Sequence, residues 1–473
     1  MKATKSLLAV AVTSTLLAAS LTGCGGSSNN SSSVNTVDTP EYAYLRVFHA
    51  APDAPAVNVW LNGSPALEGV DYQVSSGAIQ VPAGSHTVQV DAILADGSPL
   101  TVIPETQLML DADTEYNVVA TGKAGLIGTG DPMEFGPQII ARPALMPDGA
   151  RIQVMHASPD APMVDVFITA PGDDLSTAMP FADNVSFPMA TDAVEVPAGS
   201  YQVRITLPDD PTVVVFDSGT VDVPAGSDWF VAAVTNTDAG SSPVNLLVDA
   251  ASASLVVRDA AMEADIRVAH TISDAPAVDV WINGSAPAMD SPLYNVSFKD
   301  FTGYLMVPAG DYRFDVGVNG TDPVVVVDAL GLDASLMPAY KYTALAIGNL
   351  GDGMANDELF VVMDENTRRV ATEAKLRAIH ASTLAGDVDI YVSADATPSS
   401  DDVILAGVPF KGDSTVLSVS PGTAYVMVTP AGDPGTIAIG PAELPLEGGT
   451  LTTLVAIDDP MSATGVSVIS LDD

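Results

Sequence analysis

The sequence predicts an all-β protein: four tandem antiparallel β-sandwiches of immunoglobulin-like or fibronectin-like architecture, after a signal peptide and a flexible tether. Three observations carry that expectation. A motif that opens Arg46-Val47-Phe48-His49-Ala50-Ala51-Pro52-Asp53-Ala54-Pro55 and runs on through Asn58 and Trp60 returns, edited, three more times. Each period is filled by short runs in which apolar and polar residues alternate, broken by proline and glycine turns. No repeat contains a stretch with the 3.6-residue apolar period of an amphipathic helix.

The period sets the domain count. The motif histidines are His49, His156, His270 and His380, and their separations are 107, 114 and 110 residues (156−49, 270−156, 380−270), each the size of one small domain. The repeats are expected at 42–146, 149–260, 264–368 and 374–473. The joins between them are short, so the modules are expected to stand as a semi-rigid rod.

Within the first repeat, Leu45, Val47 and His49 share one face of an alternating run, and Arg46 and Phe48 share the other. Pro52-Asp53-Ala54-Pro55 interrupts any ladder and reads as a turn. Val57, Val59 and Leu61 then alternate with Asn58 and Trp60, and Asn62-Gly63 closes the strand with a hairpin signal. Tyr72 stands nine residues before Val81, which opens Val81-Pro82-Ala83-Gly84. The same interval joins Phe187 to Val196, Phe298 to Val307 and Phe410 to Val419. Further alternating runs at 86–90, 115–120 and 138–141 bring the unit to about seven short strands, the number an immunoglobulin-like sandwich needs. The cysteine pair of true immunoglobulin domains is missing.

The first forty residues have a different character. Lys2 and Lys5 precede an apolar run at 7–20 that is too short to span a bilayer, the pattern of a secretory signal over 1–23. Leu21-Thr22-Gly23-Cys24 resembles the bacterial lipobox, whose cysteine is acylated and becomes the first residue of the mature chain. Cys24 is the only cysteine, and 24–41 is a Ser/Asn/Gly-rich tether. Several acyl chains, each worth about 0.8 kcal/mol per buried CH₂, would hold the protein to a membrane durably. Gly25 in place of an aspartate implies an outer-membrane lipoprotein, on the cell surface or the periplasmic face.

The chain holds 59 acidic residues against 17 Lys and Arg, a net charge of −42. Repulsion makes nucleic acid and anionic headgroups poor partners. The acidic runs at 111–115 and 208–210 offer oxygen ligands for calcium at domain joints, but neither contains a complete binding loop. Solvated loop charge is the plainer expectation for both.

The combination of His-Ala-Ala-Pro-Asp-Ala-Pro, the strand around Asn58 and Trp60, and the later Val-Pro-Ala-Gly is similar to a bacterial family known as domain of unknown function 4397. The first three copies carry it. The fourth keeps His380, Asp389, Tyr391 and Pro421-Gly422 but has Leu384-Ala385-Gly386 at the turn. The resemblance implies an extracytoplasmic β-rich domain that recurs in tandem. It implies no established activity and supplies no catalytic residues.

The motif histidines invite a metal reading, with Asp53, Asp160 or Asp274 four residues on. One histidine and one carboxylate per domain fall short of a ligand set. His49, His156, His270 and His380 continue the Leu/Val face of their strand and are expected in the core, bonded to the turn that follows. The fourth copy lacks the aspartate yet keeps its histidine, which favours a backbone partner. Cross-strand pairs are expected between Arg267 and Asp279 and between Arg377 and Asp389, with Arg46–Asn58 and Gln153–Asp165 in the other copies. Trp60, Phe167, Trp281 and Tyr391 share one position. They form either an exposed aromatic platform for sugars or rings covered by neighbouring loops.

No nucleophile elbow, metalloprotease helix, phosphate loop or dinucleotide fingerprint is present, and no cofactor is implied. The expectation is a non-catalytic, lipid-anchored envelope protein contacting glycan, matrix or another envelope protein. The alternatives are a glycan-active hydrolase with an unrecognised carboxylate pair and a calcium-stiffened surface rod.

Overall fold

Alternation along the strands gives every repeat two sheets whose apolar inner faces close on one another. In the first repeat, the strand Tyr42–His49 lies beside Thr114–Thr121 and Gly136–Pro143 on one side and the short strands Val74–Ser75 and Ile79–Pro82 on the other. The facing sheet runs Ser64–Val70, Val57–Leu61, Gly84–Ile93, Pro99–Leu110. Leu45, Val47, Val57, Val59, Val90 and Tyr116 fill the space between. This is a computed structural model. It describes residues 41–473 except 146, 251–253, 262, 321–331, 353–356, 401 and 473, so the signal, Cys24 and nearly all of the tether lie outside the described residues.

The same plan repeats with strands spanning 150–257, 263–363 and 374–472. The all-β sandwich class stands. Each repeat also contains one parallel pairing, which alternation cannot reveal. The motif strand Tyr42–His49 runs parallel to Thr114–Thr121, with Val47 opposite Val118. Ala150–His156, Glu263–His270 and Ala374–His380 pair in parallel with Ser227–Thr235, Lys341–Ile347 and Leu451–Asp458. The two partners are separated by the whole second sheet, as a parallel connection requires.

The expected rod is corrected by how the repeats meet. Residues Glu41–Asp473 form one compact unit, and the sheets that carry the histidine strands pack face to face in pairs. Between repeats 1 and 2, Phe48, Val119, Met155, Phe230, Ala232 and Leu247 form a core in which each is fully buried. Phe48 and Phe230 place their ring centroids 4.9 Å apart. Repeats 3 and 4 meet through Ala269, Leu345, Ile347, Ile379, Val455 and Leu471. Burying a side chain such as Phe or Leu contributes about 1.5–3 kcal/mol, so these contacts are of the kind that builds a domain interior. The histidine strands are therefore covered on both faces, and all seven residues of Ala150–His156 and of Ala374–His380 are buried.

Candidate functional site

The motif histidine ends the core-facing row of its strand, where the chain leaves the sheet for the turn. All four are at most 2% exposed. His49 Nε2 lies 2.9 Å from the Pro55 carbonyl oxygen, His156 Nε2 2.9 Å from that of Pro162, His270 Nε2 3.1 Å from that of Pro276, and His380 Nε2 3.0 Å from that of Gly386. A carbonyl only accepts, so Nε2 carries the proton and donates. In His270 and His380, Nδ1 accepts from the backbone N–H of Ile272 and Ser382, both at 3.3 Å. Burial holds the imidazoles of His49, His156 and His270 below their ordinary pKa, against the pull of the carbonyl bond. Each imidazole thus bridges six residues and closes the turn through its Nε2–H. Tyr72, Phe298 and Phe410 stand edge-on to His49, His270 and His380, with centroids 6.2–6.4 Å apart.

The aspartate of the motif works on a different loop. Asp53 accepts from the N–H groups of Ala124 and Gly125 at 2.7 and 3.0 Å, and Asp274 from Leu350 and Gly351 at 3.0 and 2.8 Å. Asp160 instead pairs with Lys123 of the first repeat. In the fourth repeat, where Leu384 replaces the aspartate, Asp458 comes from the far side and bonds Ser382, Thr383 and the Leu384 N–H. The turn is tied down in every copy, with the tie supplied from whichever side has it.

The expected Arg–Asp pairs do not form, because their members lie in different sheets. Asp279 accepts from Asn295 N–H and Asn319 Nδ2, both at 2.8 Å, and from Gly320 N–H at 3.0 Å. Burial alone would raise its pKa, but these three donors outweigh it and hold the carboxyl below its usual range. Asp165 and Asp389 likewise bind backbone N–H groups, and Asn58 accepts from Gly69 N–H.

The arginines face the neighbouring repeat. Arg46 reaches Glu115 at 3.0 Å and Asp228 at 3.5 Å, Arg142 reaches Glu115 at 2.6 Å and Asp228 at 3.1 Å, and Arg151 grips Asp228 with two bonds of 2.7 and 2.6 Å. The side chains of Arg46, Arg142 and Glu115 are at most 5% exposed. Between repeats 3 and 4, Arg377 binds Asp364 and Asp413, and Arg267 bonds Thr343 at 2.8 Å and Thr453 at 3.0 Å. These two layers are what reading the residues missed. The available signal was the double-faced apolar run in each parallel partner, as in Phe230-Val231-Ala232-Ala233-Val234, which marks a strand buried on both sides.

The calcium candidates are accounted for in the same way. Glu115 belongs to the buried layer, which corrects its reading as solvated charge, and Asp210 bonds the Thr212 N–H and hydroxyl at 3.1 and 2.6 Å. Among the described residues, no group of three or more His, Cys, Asp and Glu is placed to hold a metal ion.

The shared aromatic position divides the repeats. Phe167 is 4% exposed and Tyr391 2%, so neither is a surface platform. Their strands, Val164–Thr169 and Val388–Ser393, are followed by long connections before the next strands at Ala182–Val185 and Val403–Val408. Arg204, opposite Phe167, bonds into that connection at the Asp173 carbonyl, 2.6 Å away. Trp60 and Trp281 precede the two-residue turns Asn62-Gly63 and Asn283-Gly284 and remain partly exposed. Trp60 borders a groove of about 210 Å³ lined by Gly63, Thr87, Gln89, Asp91 and Glu105.

Fold and site together define a tandem β-sandwich protein whose recurring polar residues tie down turns and loops. The model of the family described as Domain of unknown function (DUF4397) matches residues 43–167, 150–261 and 264–391, and the chain belongs to that family. No curated protein matches the chain. Among solved structures, the Bacillus anthracis TIE protein is 10% identical with a TM-score of 0.14, covering 88% of this chain and 68% of that one. BcpA, the major pilin subunit of Bacillus cereus, is 10% identical with a TM-score of 0.12, covering 83% and 88%. The multi-modular glycogen-degrading pneumococcal virulence factor SpuA is 8% identical with a TM-score of 0.16, covering 85% of this chain and 38% of that protein. At those values the likenesses carry no argument about what this chain does. No helix among the described residues is long and apolar enough to cross a membrane.

Proposed function

We propose that this protein is a non-catalytic, lipid-anchored component of the bacterial cell envelope, whose paired sandwiches present a surface for contact with glycan, matrix or another envelope protein. The observation that supports this reading is the use to which the repeated motif is put. Its four histidines close turns, and its aspartates hold backbone N–H groups or, in repeat 2, a lysine. Duplication has propagated groups that hold the fold together, not a reacting set. The anchor rests on Cys24 and its lipobox-like context, and the outer membrane on Gly25.

The test is fractionation and protease treatment of intact cells carrying either the wild-type chain or Cys24→Ala. The wild-type protein is expected with the outer membrane, and the variant free of it. A variant that sediments with membranes as the wild type does would overturn the anchor. Release of oligosaccharides from a glycan panel by the purified wild-type protein would overturn the non-catalytic reading.

A further inference from the structure

We propose that the groove beside Trp60 binds a neutral sugar unit of a glycan, an inference that rests on the contact reading above and names its ligand class. Trp60 sits on the outer face of Val57–Leu61, opposite Gln89 of the neighbouring strand. Its indole nitrogen is buried, with no partner among the described residues. The ring atoms left accessible to the groove are therefore carbon, and an indole's electron-rich face suits the C–H face of a pyranose.

Around it stand the groups that hydroxyls require. Asp91 Oδ1 is held at 2.8 Å by both Gln89 Nε2 and Thr101 Oγ1, which fixes the carboxylate at the groove wall. Glu105 is exposed and adds a second acceptor, and Thr87 contributes a hydroxyl. An apolar plate with a few fixed polar groups is the usual composition of a small-ligand site. At about 210 Å³ the groove is smaller than pockets that enclose drug-sized ligands, about 300–1,000 Å³, and fits one sugar unit of a longer chain. Two carboxylates and no cation line it, so a uronic or sulfated sugar would be repelled. The exposure of Trp60 follows from the tight Asn62-Gly63 turn, whereas in repeats 2 and 4 the longer connection accompanies a buried ring.

The test is affinity electrophoresis of the detergent-solubilised full chain through gels containing laminarin, dextran or galactomannan, with alginate as the acidic probe. Retardation by at least one neutral polysaccharide and none by alginate is expected. Trp60→Ala should weaken that binding at least about tenfold, and Glu105→Gln, an exposed change that leaves the fold alone, about three- to tenfold. An unchanged melting temperature separates lost binding from lost structure. The proposal is overturned if no neutral polysaccharide retards the protein, if Trp60→Ala migrates as the wild type does, or if alginate is preferred. Its failure is distinct from that of the envelope reading, because the gel needs no anchor and the fractionation needs no ligand.

Discussion

At the scale of single residues, the motif histidine does work that a metal reading would assign elsewhere. Replacing His49 with Leu removes the donor from the Pro55 carbonyl and leaves a buried acceptor unpaired. The expected cost is about 1–3 kcal/mol in urea denaturation. The pH dependence follows from the same geometry. The folded state favours the neutral imidazole, so only the unfolded chain takes up the proton as pH first falls below about 6.5. Stability is therefore full above that pH and declines toward the depressed folded value, and His49→Leu should flatten the decline measured between pH 7 and pH 5. The register of this histidine was legible because it continues the row of Leu45 and Val47. The roles of Arg267 and Arg377 were not, since their partners Thr453, Asp364 and Asp413 lie outside the recurring motif, which offered Asp279 and Asp389 instead.

At the scale of elements, the histidine strand and its parallel partner are the part of each repeat with almost no solvent face. Its motif strand reads as half-exposed, because Arg46, Arg151 and Arg377 interrupt the apolar pattern on the outer side. Those arginines are buried beside carboxylates drawn from their own repeat, from the paired repeat or from the join. Removing one partner leaves the others uncompensated, which is the costly case for a buried ion cluster. Asp228→Asn should lower stability by about 3–5 kcal/mol, and denaturation monitored by tryptophan fluorescence will measure it. A loss below about 1 kcal/mol, as for an exposed pair, would mean that the layer is hydrated. The second sheet was more legible, since its outer face does alternate toward solvent and its tight turns are written in Asn-Gly. Strand direction was invisible at this level, because parallel and antiparallel neighbours share the same two-residue period.

At the scale of the whole molecule, the pairs are themselves joined. Arg368, from the connection between repeats 3 and 4, donates to the Pro52 and Ala54 carbonyls at 3.2 and 2.7 Å and meets Asp71 at 2.6 Å. Ala371 N–H adds a bond of 2.7 Å to the Asp53 carbonyl. The turn closed by His49 is thus also the seat of a contact with the second pair. Arg368→Ala should speed amide exchange at Asp53, Ala54 and residues 369–371 while leaving the two pair interiors protected. Uniformly faster exchange would show that the pairs do not hold by themselves. The face-to-face burial of Phe48 against Phe230 also decides where the gene can be cut. A chain stopped after one repeat would carry an oily sheet with arginines stranded in it, whereas a chain stopped after two would leave neither exposed. The smallest portion of this protein that can be inherited, exported or moved into another gene as a working part is two repeats long.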